Sequence, residues 1–301
     1  MNALDRIFHL TENGTTVRRE LLGALTSFFS AAYIIFVTPS YLAQTGMDYT
    51  GVLLATCLAS AAGCFLSAVL GLPFILSPGV GLNAFFTYTL CFTMGYTWQQ
   101  ALAVVCLSGV AFLIISVTPL RDMMVSCIPP SMKSAISAGL GMFIALIGLL
   151  NSGIVRAEGG RLLLGDVSAS TTLLAVLGLL ITGVLMAWKV KGAMLIGIVA
   201  TTLLGFPLGV SQVPETMSLS LAALEPLLLA PDFGGIFSLG VLPLVTAVVT
   251  FTMCLCFDTL GALICIAGAG NLLDEKGGLG RHSRGMAAVA LASAATPLIG
   301  A

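Results

Sequence analysis

A long apolar stretch of the chain is interrupted at residues 74–86, which read FILSPGVGLNAFF. Pro78 has no N–H to donate, and Gly79 and Gly81 allow backbone angles that other residues avoid. In lipid, the backbone groups freed by such a break must be satisfied by protein or by a water-filled cavity. The motif predicts a half-helix that restarts near Asn83 with its N-terminus towards a cavity. A kink used only for packing is the alternative, although the polar Asn83 amide disfavours it.

The overall composition favours lipid as the solvent of this chain. Of its 301 residues, 58% are hydrophobic and 8% are charged, and the mean hydropathy is +1.07. Soluble domains carry roughly 25% charged residues, so this chain could not cover a water-facing surface. The net charge of −1 gives no reason to expect nucleic-acid binding. The eight cysteines lie in or beside apolar runs and are expected to be free thiols.

The apolar runs predict an all-α, polytopic membrane protein. A helix needs ~20 apolar residues to cross the hydrocarbon layer, and nine runs of suitable length are present. They lie at about 21–38, 50–70, 74–94, 98–118, 131–150, 170–188, 192–210, 237–268 and 284–301. The third contains the interruption, and the eighth is long and contains Asp258.

The distribution of basic residues supports this count. With the N-terminus in the cytoplasm and alternating spans, ten of the twelve Lys and Arg residues fall in cytoplasmic segments. The external segments keep Arg156 and Arg161, and the external loop 206–236 has no Lys or Arg. This is the positive-inside asymmetry of membrane proteins. We therefore expect a multi-pass protein of the cytoplasmic (inner) membrane with a cytoplasmic N-terminus.

Asp258 is the only acidic residue deep inside a predicted span. A carboxylate at mid-bilayer costs roughly 3 kcal/mol on insertion scales, so such residues usually face a cavity in a substrate or proton pathway. Because burial favours the neutral carboxyl group, Asp258 could take up and release a proton near neutral pH. The alternative is a helix that ends earlier and leaves Asp258 in a polar rim. Several aromatic residues could stack on a planar ligand, namely Phe28, Phe29, Tyr33, Phe85 and Phe86. The alternative is that these side chains only face lipid or the protein core.

Three stretches resemble the adenine/guanine/hypoxanthine (purine) permeases of the nucleobase–cation symporter-2, or xanthine/uracil permease, superfamily. Residues 19–39, 77–86 and 257–262 are similar, in order, to motifs of the first, third and eighth segments of that family. The third-segment motif, Pro-Gly-Met-Gly-Leu-Asn-Ala-Phe-Phe, is the most specific. The resemblance implies fourteen spans in two inverted seven-span repeats, with a short strand before the half-helix of span 3.

The resemblance also implies a domain organisation. Residues 1–120 would form spans 1–4 of a core domain, and residues 121–236 would form spans 5–7 of a gate domain with an external loop. Residues 237–301 would form core-domain spans 8 and 9. The threonine-rich tenth segment of the family, which ends in Glu-Ser, is absent, so we expect a C-terminally truncated chain with nine of the fourteen spans.

The resemblance assigns roles to five residues. Asn83 and the neighbouring backbone at Leu82, Ala84 and Phe85 would contact the purine, and Asp258 would bind substrate and couple it to protons. Leu255 stands where many members carry a second acid, so Asp258 can match either the flanking acid or the principal one. Neither a catalytic residue, a metal nor a cofactor is expected.

The predicted function is proton-coupled uptake of hypoxanthine, guanine or adenine by alternating access. The expected partners are a purine nucleobase, protons and the lipid bilayer, and a homodimer is left open. One alternative is a non-transporting fragment of such a permease, and another is a transporter of a different small planar or anionic solute on the same fold. An anion transporter would need a basic residue near mid-membrane. An intramembrane enzyme would need a second acid, a Ser/His pair or metal ligands at matching depth. The predicted spans offer none of these three.

Overall fold

A computed structural model describes residues 15–69, 75–118, 130–158, 161–190, 192–211, 221–269 and 283–300. These residues form ten helices and one β-hairpin. The helices are α1 (Val17–Ala31), α2 (Ile34–Leu42), α3 (Tyr49–Val69), α4 (Val80–Thr93), α5 (Trp98–Val117), α6 (Pro130–Asn151), α7 (Ser170–Ala187), α8 (Ala193–Gly205), α9 (Val241–Ala269) and α10 (Ser283–Ala295). Short 3-10 segments are Ala43–Thr45, Leu221–Leu227, Gly235–Phe237 and Thr296–Ile299.

Every predicted span overlaps at least one of these helices, and the first span overlaps both α1 and α2. Five segments are long and apolar enough to cross a membrane by length and composition. These are Val17–Thr45, Tyr49–Val69, Trp98–Val117, Ser170–Ala187 and Val241–Ala262. The prediction of a mainly helical, multi-pass protein is therefore confirmed, whereas the span count of nine and the inverted-repeat fold stay predictions.

The hairpin was not expected from the sequence. Strands β1 (Val155–Glu158) and β2 (Arg161–Leu164) pair antiparallel, with Val155 opposite Leu164 and Glu158 opposite Arg161. Gly159 and Gly160 separate the two strands in the sequence, and a Gly-Gly pair is a typical hairpin connection. The strands are too short to stand out in a sequence dominated by helical apolar runs. The fold stays mainly helical, and this short hairpin is a feature that the sequence analysis did not anticipate.

The chain divides into two compact units. The first comprises Met1–Ile34 and Ala145–Met217, and its described helices are α1, α7, α8 and the end of α6. Helix α7 packs on α8, where a Cβ added at Gly178 would lie 2.6 Å from the Thr201 hydroxyl oxygen. Small residues at such positions allow helices to approach closely in membranes.

The second unit comprises Ile35–Ile144 and Ser218–Ala301. Helix α5 is at its centre and packs against α9 and α10, and α10 also contacts α3. The side chains of Val104 and Phe112 of α5 are fully buried. The α5–α10 contact is close, because a Cβ added at Gly109 would lie 2.7 Å from the backbone of Ala294. The division of the chain into a core domain and a gate domain stays a prediction.

The interruption of the third predicted span is present. Residues 75–79 form no helix, Gly79 is extended with φ −76° and ψ 122°, and α4 begins at Val80, slightly before the predicted restart near Asn83. Within α4, Val80–Ala84 is α-helical and Phe85–Thr93 is a π-helix. Among the described residues, only β1 and β2 pair as strands. The extended segment before α4 therefore forms the predicted break. It pairs with no other strand among the described residues.

Candidate functional site

A cavity of about 160 Å³ lies in the second unit, beside the start of α4. Its wall is formed by the break before α4, the first turn of α4, and parts of α3, α5, α9 and α10. Most lining groups are apolar, and the polar side chains are those of Ser77, Asn83, Asp258, Thr259, Ser293 and Thr296. Apolar walls with a few convergent polar groups are typical of small-molecule sites. A cavity of roughly 150 Å³ can hold a benzene-sized ring, so this volume suits a small planar ligand.

Asn83 lies in the first turn of α4, where its backbone N–H donates to the Gly79 carbonyl oxygen at 3.0 Å. Its side-chain Nδ2 donates to Thr38 Oγ1 at 3.0 Å. An amide has two N–H donors and one carbonyl acceptor. The other N–H and Oδ1 bond to no described residue, so both are available to a ligand in the cavity.

Asp258 lies in the interior of α9, which extends on to Ala269, so the helix does not end before the carboxyl group. The side chain is exposed and lines the cavity. A Cβ added at Gly79 would lie 3.4 Å from Asp258 Oδ2, so the carboxylate faces the break before α4. No hydrogen bond or ion pair joins Asp258 to another residue in the described ranges. Such a carboxylate can accept an N–H from a ligand or bind a proton.

Phe251 is the one aromatic side chain among the described residues that line the cavity. It lies two helical turns before Asp258 on α9, which places both residues on one helix face. The Phe85 ring packs edge-on against it, with ring centroids 5.8 Å apart and an interplanar angle of 66°. The sequence did not single out Phe251, although its spacing from Asp258 was a usable signal.

The structure brings three of the five predicted site residues together. Leu82, Asn83 and Asp258 line the cavity. Ala84 is fully buried, and Phe85 packs behind Phe251 without lining the cavity. A contact between the purine and the backbone at Ala84 or Phe85 stays a prediction.

The other aromatic candidates lie elsewhere. Phe28 and Phe29 are exposed on α1 in the first unit, with their rings 5.7 Å apart. Phe86 is buried with 4% of its surface exposed. None of these three side chains lines the cavity.

The sequence analysis did not single out three hydroxyl side chains that line the cavity. Ser293 lies on α10 and Thr296 in the 3-10 segment that follows it, one helical turn apart. Thr259 directly follows Asp258 on α9. Small hydroxyl residues at such spacing are common in membrane helices, so the sequence carried no distinct signal for them. In the described ranges, no group of three His, Cys, Asp or Glu side chains could hold a metal ion.

Comparison with known proteins identifies the family of this chain. A permease of Methanocaldococcus jannaschii is 39% identical over 305 residues, covering 100% of this chain and 69% of the relative. The adenine permease AdeP of Escherichia coli K12 is 33% identical, covering 99% of this chain and 66% of the relative. The guanine/hypoxanthine permease PbuG of Bacillus subtilis is 36% identical, covering 89% and 63%. The chain thus spans about two thirds of the length of these curated relatives.

The match to the family is nearly continuous along the sequence. The profile of the permease family matches residues 18–301, which include the α4 motif, Phe251 and Asp258. The relatives are named as permeases, that is, as transport proteins and not as enzymes. Together with the apolar helices, these matches show that the chain belongs to the permease family and is a multi-pass membrane protein.

Proposed function

We propose that this protein takes up purine nucleobases across the cytoplasmic membrane, with inward proton flow as the driving force. The observation that carries the proposal is the cavity in which Asn83 and Asp258 line the same space beside the α4 break. The names of the relatives, which include an adenine permease and a guanine/hypoxanthine permease, support a nucleobase as the substrate.

The chemistry of the cavity suits a purine. A purine is planar and presents both ring N–H donors and ring nitrogen acceptors. The free N–H and Oδ1 of Asn83 can pair with both kinds of group, and the Asp258 carboxylate can accept an N–H. The Phe251 ring offers a surface for stacking. Among the described residues that line the cavity there is no Lys or Arg, which disfavours an anionic substrate.

Proton coupling is proposed for Asp258 on structural grounds. Its carboxylate has no partner in the described ranges and faces the same cavity as Asn83. Proton binding there would change the charge next to the substrate, so occupancy by one would affect binding of the other. The proposed transport cycle uses alternating access between a core and a gate domain. We also propose that the N-terminus lies in the cytoplasm.

The direct test is uptake of radiolabelled hypoxanthine, guanine and adenine by cells that lack their own purine permeases and express this chain. We expect saturable accumulation above the vector control and its collapse when a protonophore removes the proton gradient. Accumulation that a protonophore does not affect would contradict proton coupling. Absence of uptake for all three bases, with the protein present in the membrane, would contradict the proposed function.

Asn83→Ala should raise the KM for at least one purine by about fivefold to tenfold, because one hydrogen bond contributes about 1 kcal/mol and each 1.4 kcal/mol is tenfold in affinity. The measurement is the concentration dependence of initial uptake rates for the three bases. Gln99→Ala is the matched control, because this amide is not among the cavity-lining residues. Unchanged KM values and base preference in Asn83→Ala would count against direct contact.

Phe251→Leu should also raise the KM, by roughly threefold to tenfold, because aromatic contacts contribute about 0.5–1.5 kcal/mol beyond the area they bury. Leucine keeps an apolar side chain on α9 but removes the ring face. Phe92→Leu is the control, since Phe92 lies on α4, is 55% exposed and does not line the cavity. Equal KM values for the two variants would argue against stacking on Phe251.

A further inference from the structure

We propose that Thr38 is a positioning residue, which anchors the Asn83 amide through a hydroxyl group that can serve either orientation of that amide. The proposal rests on the proposed function, since it concerns how the same cavity recognises a nucleobase. Thr38 itself is fully buried on α2 and is not among the cavity-lining residues. It would therefore act on the ligand only through Asn83.

The contact between the two side chains is specific. Asn83 Nδ2 lies 3.0 Å from Thr38 Oγ1, which joins α4 to α2 across 45 residues of sequence. It is the side chain's one hydrogen bond within the described ranges. Without it, the amide at the start of α4 would have no side-chain partner to hold it in one plane.

The Thr38 hydroxyl differs in its hydrogen bonding from the hydroxyls of Thr26, Ser40 and Thr202. Thr26, Ser40 and Thr202 each donate to the backbone carbonyl four residues earlier in their own helix, at 2.7–2.8 Å. This is the usual bond of a Ser or Thr within a helix. Thr38 makes no such bond to another described residue, so its hydroxyl proton is free to rotate.

A rotating hydroxyl can accept or donate a hydrogen bond. It accepts from Asn83 Nδ2 in the orientation seen here, which leaves Oδ1 and one N–H for the ligand. It can equally donate to Oδ1 after the amide turns over, which leaves both N–H groups for the ligand. The two orientations suit different purines, because a 6-oxopurine carries N–H at the ring position where a 6-aminopurine carries an acceptor nitrogen. Thr38 thus supports binding of both classes.

The fold should tolerate loss of this hydroxyl. A second bond, from Thr87 Oγ1 to the Tyr41 carbonyl oxygen at 3.1 Å, also joins α4 to α2. Thr38→Val keeps the shape of the side chain and removes the hydroxyl, whereas Thr38→Ser keeps the hydroxyl and removes a methyl group. Ser40→Ala is the matched control on the same helix, because its hydroxyl bonds only the Phe36 carbonyl oxygen.

The experiment measures KM and maximal uptake rate for hypoxanthine and adenine in each variant. We expect Thr38→Val to raise the KM for both bases by a similar factor of about fivefold, the size of one lost hydrogen bond, with a nearly unchanged maximal rate per molecule in the membrane. Thr38→Ser and Ser40→Ala should stay within about twofold of the wild type. In the Asn83→Ala background, Thr38→Val should add less than about twofold, as expected for residues that act together.

Each other outcome overturns the proposal. An unchanged KM in Thr38→Val, an increase for only one of the two bases, or an equal loss in Thr38→Ser would each contradict it. So would an undiminished effect of Thr38→Val in the Asn83→Ala background. If the wild type shows no saturable uptake of either base, the proposed function fails and the role of Thr38 fails with it, whereas wild-type uptake with an inert Thr38→Val variant overturns only the role of Thr38.

Discussion

Asp258→Asn is expected to reduce proton-driven purine accumulation to the level of cells that carry only the vector. Asparagine keeps the size of the side chain but cannot bind and release a proton in the physiological range. The carboxylate lines the cavity and has no partner in the described ranges, so no other residue there would lose its partner in the variant. The measurement is uptake at several external pH values. Wild-type uptake should rise as the external pH falls, because protons enter with the substrate, and the variant should lose this dependence.

The control for this experiment is a carboxylate in a loop. Asp166 is exposed and accepts a hydrogen bond from the Ser168 N–H at 3.0 Å, which asparagine can also accept. Asp166→Asn should therefore transport like the wild type. Equal amounts of both variants in isolated membranes would show that the loss does not come from failed insertion. Full, pH-dependent uptake by Asp258→Asn would remove the proposed proton-coupling role from this residue.

Gly109→Ala on α5 is expected to lower the stability of the protein. A Cβ at this position would lie 2.7 Å from the backbone of Ala294 on α10, and backbone atoms cannot move aside as a flexible side chain can. Overpacking of this kind costs about 1–3 kcal/mol. Thermal unfolding of the purified protein in detergent measures the effect. Because α10 also forms one wall of the cavity, a shift of α10 should lower uptake as well.

The matched control is Gly139→Ala on α6. No atom lies within 4 Å of a Cβ added there, and alanine is favoured over glycine in a helix by about 1 kcal/mol. Gly139→Ala should therefore leave the unfolding temperature unchanged or raise it. If Gly109→Ala is as stable as Gly139→Ala, the close α5–α10 contact is not a feature of the protein in solution.

The helical elements were predictable because a long apolar run in lipid can satisfy its backbone hydrogen bonds in few ways other than as a helix. Pro78 and Gly79 also indicated the position of the α4 break, because neither residue favours a continuous helix there. The β1–β2 hairpin was missed because four-residue strands give little periodic signal. The π-helical geometry of Phe85–Thr93 was missed as well, because its sequence of aromatic, threonine and leucine residues fits either kind of helix.

The site was predictable only where a residue is unusual for its surroundings. Asn83 and Asp258 stood out as polar groups in apolar segments, and both line the cavity. Thr38 and Phe251 look ordinary in their own helices. Their proposed roles depend on contacts with residues that are distant in sequence, namely Asn83 for Thr38 and Phe85 for Phe251. Such pairings depend on how α2, α4 and α9 pack, which no local pattern encodes.

The π-helix in α4 changes how experiments on this segment should be interpreted. Its backbone bonds span five residues, as in the bond from the Met94 N–H to the Thr89 carbonyl oxygen at 2.9 Å, so the chain turns less per residue than the 3.6-residue α-helix. A helical wheel drawn through residues 80–93 would therefore assign later side chains to the wrong face. In a cysteine-accessibility scan, the spacing between reactive positions should lengthen after Phe85. In a sequence alignment, a one-residue gap at this place would reflect a change of helix type, and the residues that follow it would stay on the same helix face.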